Sequence, residues 1–93
     1  MIFPAAKLDI KEAALWYNDK QYGLGKRFFN AVNDEVYKIK QNPHMYEIRY
    51  YDVRTALTKN FPYLIHFSLM SDTIFIKAVY HTSRNSSLWV IQN

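Results

Sequence analysis

Two textures of apolar residues divide the chain. From Pro4 to Lys20 the larger apolar positions, Ile10, Ala13, Ala14 and Tyr17, return at steps of three and four, which predicts a helix. Pro4 fits only a helix start or a strand end, so Met1–Phe3 read as a very short strand before it. Asp9 and Glu12 fall early in this helix, where its dipole favours carboxylates. Gly23 and Gly25 mark a break. In the second helix Phe28, Phe29, Val32, Val36 and Ile39 form one apolar stripe, with Arg27, Asn30, Asn33, Asp34, Lys38 and Lys40 facing elsewhere. Asn42-Pro43 ends it, because a residue before proline avoids the helical region. Two helices joined by so short a link predict an antiparallel hairpin.

Beyond Pro43 the pattern shortens. Residues 46–81 are dominated by Tyr, Val, Ile, Phe and Thr, which suit a pleated surface, and they predict strands over 52–58, 62–70 and 73–81. Ser71-Asp72 is a tight hairpin turn between the last two. In the middle strand Tyr63, Ile65, Phe67 and Leu69 oppose Leu64, His66, Ser68 and Met70; both sets are largely apolar, which predicts a central strand covered on at least part of both faces. Strict alternation in the last strand would set Ile74, Ile76, Ala78 and Tyr80 on one face and Phe75, Lys77, Val79 and His81 on the other. The tail from Thr82 is polar to Ser87 and turns apolar at Leu88-Trp89-Val90-Ile91. With no repeat or linker, residues 1–93 read as one α+β domain, a helical hairpin packed on one face of an antiparallel sheet.

Composition narrows the class. A core built from 93 residues must be dense in large side chains, and a hydrophobic content of 49% with eight Tyr and six Phe supplies them. The net charge of +4 biases association toward acidic proteins or polyanions without naming one. The chain has no cysteine, so it has neither disulfides nor a thiolate metal site. No apolar stretch is long enough for a transmembrane helix, and Met1–Lys7 lack the features of a signal peptide. These traits lead to the expectation of a soluble, cytoplasmic protein without a membrane partner.

Standard site signatures are missing: there is no glycine-rich phosphate loop, no His-Glu-x-x-His and no Gly-x-Ser-x-Gly. His44, His66 and His81 are too scattered to suggest a metal, so neither metal nor cofactor is expected. A basic and aromatic constellation remains, with Arg49, Arg54 and Lys59 near Tyr46, Tyr50 and Tyr51, and then His81, Arg84 and Trp89. Cations beside stackable rings suit single-stranded RNA. Arginine can also offset the charge developed in phosphodiester cleavage while histidine moves the proton. Plainer roles exist for most of them: tyrosines as sheet packing, Arg54 and Lys59 as a solvated face, His66 as a core histidine, Trp89 as a pin for the tail. His81 with Arg84, at a strand end, is the pair least easily explained by packing.

Order along the chain adds a resemblance. Pro4-Ala5-Ala6-x-x-Asp9-Ile10-x-Glu12-Ala13-Ala14-x-Trp16-Tyr17, Gly23-Leu24-Gly25-x-x-Phe28 and Asn42-Pro43-x-x-Tyr46 resemble the ParE branch of the ParE/RelE toxin superfamily. So do Asp52-Val53-Arg54, Phe61-Pro62-Tyr63-x-Ile65 and Ala78-Val79-x-His81-x-x-Arg84-Asn85. The resemblance implies two helices against a small curved antiparallel sheet. It also implies the toxin of a type II toxin–antitoxin (plasmid stabilisation) system, neutralised by a cognate acidic antitoxin. ParE-like members inhibit DNA gyrase without chemistry of their own, and Arg54, His81, Arg84 and Trp89 would then be target contacts. RelE-like members cleave mRNA on the ribosome, often with an arginine on the middle strand. Here Tyr63 or Leu64 stands at that place, which favours the gyrase reading; on the ribonuclease reading His81, Arg54 and Lys59 would be catalytic. A third reading is an inactive member that only binds its antitoxin as a corepressor.

Overall fold

Proline punctuates the helical half as its backbone chemistry dictates. Pro4 opens α1 (Pro4–Lys20), and Pro43 follows the last residues of α2 (Leu24–Gln41) and starts a single 3₁₀ turn. The structure, a computed structural model, describes residues 1–86. Between the helices Gly23 takes the left-handed conformation, φ 87°, and its N–H donates to Asn18 Oδ1 at 2.8 Å. Gly25 serves a different need. A Cβ there would lie 2.4 Å from the Ala14 carbonyl oxygen, so the two helices approach as closely as they do only because position 25 has no side chain.

Four strands follow: β1 (Ile48–Tyr50), β2 (Val53–Leu57), β3 (Tyr63–Met70) and β4 (Thr73–His81). They form one antiparallel sheet in the order β1-β2-β3-β4. This is the expected α+β architecture, with two helices preceding an antiparallel sheet. The pairs Tyr50↔Val53 and Met70↔Thr73 each enclose two residues, and Tyr51 (φ 47°) and Ser71 (φ 53°) supply the positive φ those tight turns need. Ala6, Ile10 and Ala13 of α1, and Phe28, Val32, Val36 and Ile39 of α2, pack with Ala56, Ile65, Phe67, Ile76 and Val79 of the sheet in one core.

Four expectations need correcting. β1 was not foreseen, because Ile48-Arg49-Tyr50 is short and mostly exposed and shows no buried alternation. Phe29 is not core: it lies at the rim of the α2 stripe and is 48% exposed. Asp9 is not a first-turn residue for the helix dipole; it reaches across to the sheet. Strict alternation in β4 also fails. His66 pairs with Ala78 but Phe67 pairs with Ile76, so Lys77 is an extra residue on β4 and forms a bulge. Side-chain parity inverts there. Ile74, Ile76 and Val79 pack toward the helices, while Ala78 and Tyr80 join Tyr50 and Leu64 in a second cluster.

Among the described residues β4 is an edge strand, and two devices there cover it. Met1–Phe3 run alongside as the short extended segment expected from the sequence: Ile76 N–H donates to the Met1 carbonyl at 2.8 Å and Phe3 N–H to the Ile76 carbonyl at 2.9 Å. Past the bulge, Val79 N–H donates to Asp9 Oδ2 at 3.0 Å. A carboxylate on α1 therefore ties the helix to the strand end.

Candidate functional site

α1 carries two exposed stripes besides its buried one, and each lines a concavity. On the α2 side a groove of about 420 Å3 has Ile10, Ala14, Leu15 and Phe29 as apolar lining and Lys7, Lys11 and Lys26 as its charged residues. No acidic residue lines it. Leu15 is 58% exposed, an unusual position for a leucine beside two more half-open apolar side chains.

On the β4 side a larger cleft, about 620 Å3, lies between α1 and the ends of β3 and β4. Trp16, Tyr17 and Tyr63 supply aromatic walls, Asp9 and Glu12 carboxylates, and His81 and Arg84 border it from the strand end. Tyr17 and Tyr63 are held in place by ring contacts with Phe28 and with each other at 4.9–6.1 Å. Burial pushes the Asp9 carboxyl above its usual range, while the Val79 amide and the Arg84 guanidinium oppose that rise. Burial likewise raises the Tyr17 and Tyr63 phenols.

His81 is exposed on the rim, its ring edge-on to Tyr63 at 5.2 Å. Its Nδ1 accepts the Ser83 amide at 3.0 Å and lies 2.7 Å from the Ser83 hydroxyl. With Nδ1 accepting the Ser83 amide, Nε2 is the ring nitrogen left for an outside partner. Arg84 lies over the Tyr80 ring at 4.1 Å.

The other candidates are elsewhere. Arg54 pairs with Phe67 on the helix-facing side of β2 and donates from Nη1 to the Tyr46 carbonyl at 2.6 Å. Tyr46 in turn donates its hydroxyl to the buried Glu35 at 2.8 Å, and burial together with Glu35 pushes that phenol up to about 12. Arg54 thus braces the segment before β1. Lys59 stands in the β2–β3 connection, in a concavity shared with Arg27, Asp34 and Lys38 of α2. Tyr63, the partner of His81, is four residues from Phe67, the partner of Arg54, so the two sites are about 13 Å apart along β3 alone. The structure brings His81 and Arg84 together and leaves Arg54 and Lys59 apart from them. Trp89 lies outside the described residues.

On the face of the sheet opposite the helices, Tyr50, His66 and Tyr80 form a buried polar cluster. The Tyr50 hydroxyl and His66 Nδ1 are 3.1 Å apart, and the His66 and Tyr80 rings 4.9 Å. Burial first, then Arg49 and Arg84, lowers the His66 imidazole to about 4, so it is neutral at pH 7. Its surroundings match the core histidine expected from its neighbours. Arg49 donates weakly to Thr55 at 3.5 Å.

Sequence reasoning missed Asp9, Glu12, Trp16 and Tyr17 as a joint lining. A signal was present: 9, 12, 16 and 17 recur at helical spacing and mix carboxylates with rings, which is not the composition of a purely core-facing stripe. Among the described residues no helix is long and apolar enough to cross a membrane, and no three His, Asp or Glu side chains gather as metal ligands.

Comparison with known proteins agrees with this architecture. The chain superimposes on a solved structure titled "Chromosomal ParDE TA system from P. aeruginosa" with a TM-score of 0.68, covering 88% of this chain and 92% of that one at 18% identity. At that identity the likeness concerns the fold. No curated protein sequence matches the chain. Residues 2–86 match the family described as "ParE toxin of type II toxin-antitoxin system, parDE". A match over nearly the whole chain, on the expected fold, places it: this protein belongs to the ParE toxin family of type II toxin–antitoxin systems.

Proposed function

We propose that this ParE-family toxin acts in the cytoplasm by binding and inhibiting DNA gyrase, without chemistry of its own, and that a cognate acidic antitoxin neutralises it. The observation that carries the proposal is the dispersal of the residues a ribonuclease would need. Arg54 is bound to the Tyr46 carbonyl opposite Phe67, Lys59 sits against α2, and His81 stands opposite Tyr63 at the other end of β3. Phosphodiester cleavage needs a proton-transfer group and a cation converging on one phosphate, and these three do not converge. His81 and Arg84, side by side at the mouth of the α1–β4 cleft, are exposed and suit target contact.

The groove between α1 and α2 supports the antitoxin part. Its apolar floor and lysine rim fit the apolar face of a helix with acidic flanks, one way a partly disordered acidic segment can dock on a basic protein. Maintenance of a plasmid would follow from this pairing, because a toxin that outlasts its antitoxin penalises cells that lose the genes.

The deciding experiment combines the purified chain, gyrase from the same source, supercoiled plasmid and ATP. Linear DNA that accumulates after detergent and protease treatment, and that antitoxin suppresses, is the expected result. Arg84→Ala should remove that effect without loss of fold. Intact plasmid beside active gyrase would overturn the proposal, and ribosome-dependent mRNA cleavage would be tested next. No growth arrest on expression without antitoxin would instead identify a chain that only binds antitoxin as a corepressor.

A further inference from the structure

The cleft between α1 and β4 has a chemistry unlike the rest of this basic protein. Asp9 and Glu12 stand beside Trp16, Tyr17 and Tyr63, lining an open cleft of about 620 Å3. Arg84 offsets the charge of Asp9, and Glu12 adds a second carboxylate, which disfavours a phosphate backbone or an acidic peptide as occupant. The ring faces favour a cation, which a π-system attracts within about 6 Å of its centroid. The chain itself shows that one of them accepts a cation: Lys20 Nζ lies 4.9 Å from the Trp16 ring centroid, so an incoming guanidinium takes the place of Lys20 or the other face of the ring. Arg84 also borders the cleft, but its guanidinium is stacked on Tyr80 at 4.1 Å.

We infer that the α1–β4 cleft is a socket for an arginine side chain presented by a protein partner, with Trp16 stacking on the guanidinium and Glu12 accepting its N–H groups. Arginine fits better than lysine for two reasons. Its planar group stacks on a ring while its edge still donates to a carboxylate, and it sheds water more readily than an ammonium. Asp9 already accepts the Val79 amide, so it contributes charge at the back of the socket while Glu12, exposed on α1, is the carboxylate open to the incoming group. The inference is independent of gyrase being the target, because it concerns the side chain received and not the protein that carries it. It also means that the socket and the lysine-lined groove, on opposite flanks of α1, select partners of opposite charge.

The test uses the full chain, 15N-labelled, titrated with N-acetyl-arginine N-methylamide and, in parallel, with the citrulline analogue, which keeps the shape and loses the charge. The expected result is a saturable shift of the Trp16 indole N–H and the Val79 amide with the arginine compound. A dissociation constant on the order of 10 mM is expected for one isolated side chain. Glu12→Gln and Trp16→Ala should each weaken it at least threefold, with otherwise unchanged spectra showing that the fold persists. Equal shifts with citrulline, shifts confined to other carboxylates, or no response to either substitution would overturn the assignment.

Discussion

The two flanks of α1 are built on the same helix and differ in almost every property that selects a partner. Toward α2 the helix offers Lys7, Lys11 and Leu15 over a shallow apolar floor; toward β4 it offers Asp9, Glu12 and Trp16 over a deeper aromatic one. Both flanks need exposed apolar side chains, which is why α1 shows little contrast between its faces while α2 is cleanly amphipathic. A helix that only covered a core would show the pattern of α2. The comparison teaches that a blurred stripe in a small, well-packed domain can mark a helix with three duties: one buried face and two open ones.

The largest expected effect breaks one flank alone. Leu15→Asp with Phe29→Asp places charge on the floor of the α1–α2 groove; antitoxin affinity should fall about 1000-fold, read by calorimetry, while arginine binding at the cleft stays intact. Equal losses on both flanks would show that the two surfaces are not separate.

Next in size is a perturbation that touches neither flank. His66 is depressed to about 4 from its ordinary 6.5, so in acid the unfolded chain takes up the proton first. Stability is then fully present above pH 6.5 and is lost as pH falls toward 4, by up to about 3 kcal/mol. Denaturant unfolding at stepped pH should show this fall, and His66→Gln, which can still hydrogen-bond Tyr50, should flatten it.

Gly25→Ala tests what the flanks share. The added methyl meets the Ala14 carbonyl at 2.4 Å, so α2 must move away from α1, at a cost of about 2 kcal/mol despite the better helix propensity of alanine. Thermal unfolding measures the cost, and antitoxin binding should weaken with it.

The smallest effect sharpens the cleft side. Asp9→Ala strips the cap from Val79 N–H and should cost about 1 kcal/mol, whereas Asp9→Asn keeps an acceptor and should cost less than half of that. Both should weaken arginine binding, because both remove the charge.

Much of the fold was legible because local chemistry and global packing agree there. Pro4, Pro43 and Gly23 bound the helices as expected, and the Phe28–Ile39 stripe and the Ser71-Asp72 turn need only periodicity and turn preference to be read. What escaped depends on register. The extra residue at Lys77 is not betrayed by its neighbours, since Ile74, Phe75, Ile76, Ala78, Val79 and Tyr80 are apolar at both parities, and it decides whether Val79 or Tyr80 meets the helices. β1 escaped because three exposed residues carry no pattern. Of the candidate site, His81 and Arg84 were identifiable from their place after the last strand. The separation of Arg54 and Lys59 from them was not, since it follows from a hydrogen bond to Tyr46 and from where a connection packs.

The tie between Asp9 and Val79 spans 70 positions, and it has a consequence in the order of synthesis. Every residue of the lysine-lined groove has been translated once Phe29 is added, whereas the cleft lacks its far wall until His81 and Arg84 are added. At about 5–20 residues per second, the interval of some 55 residues is roughly 3–11 s. On the proposed function, the sequence that antitoxin would read is thus translated seconds before the sequence that would do harm.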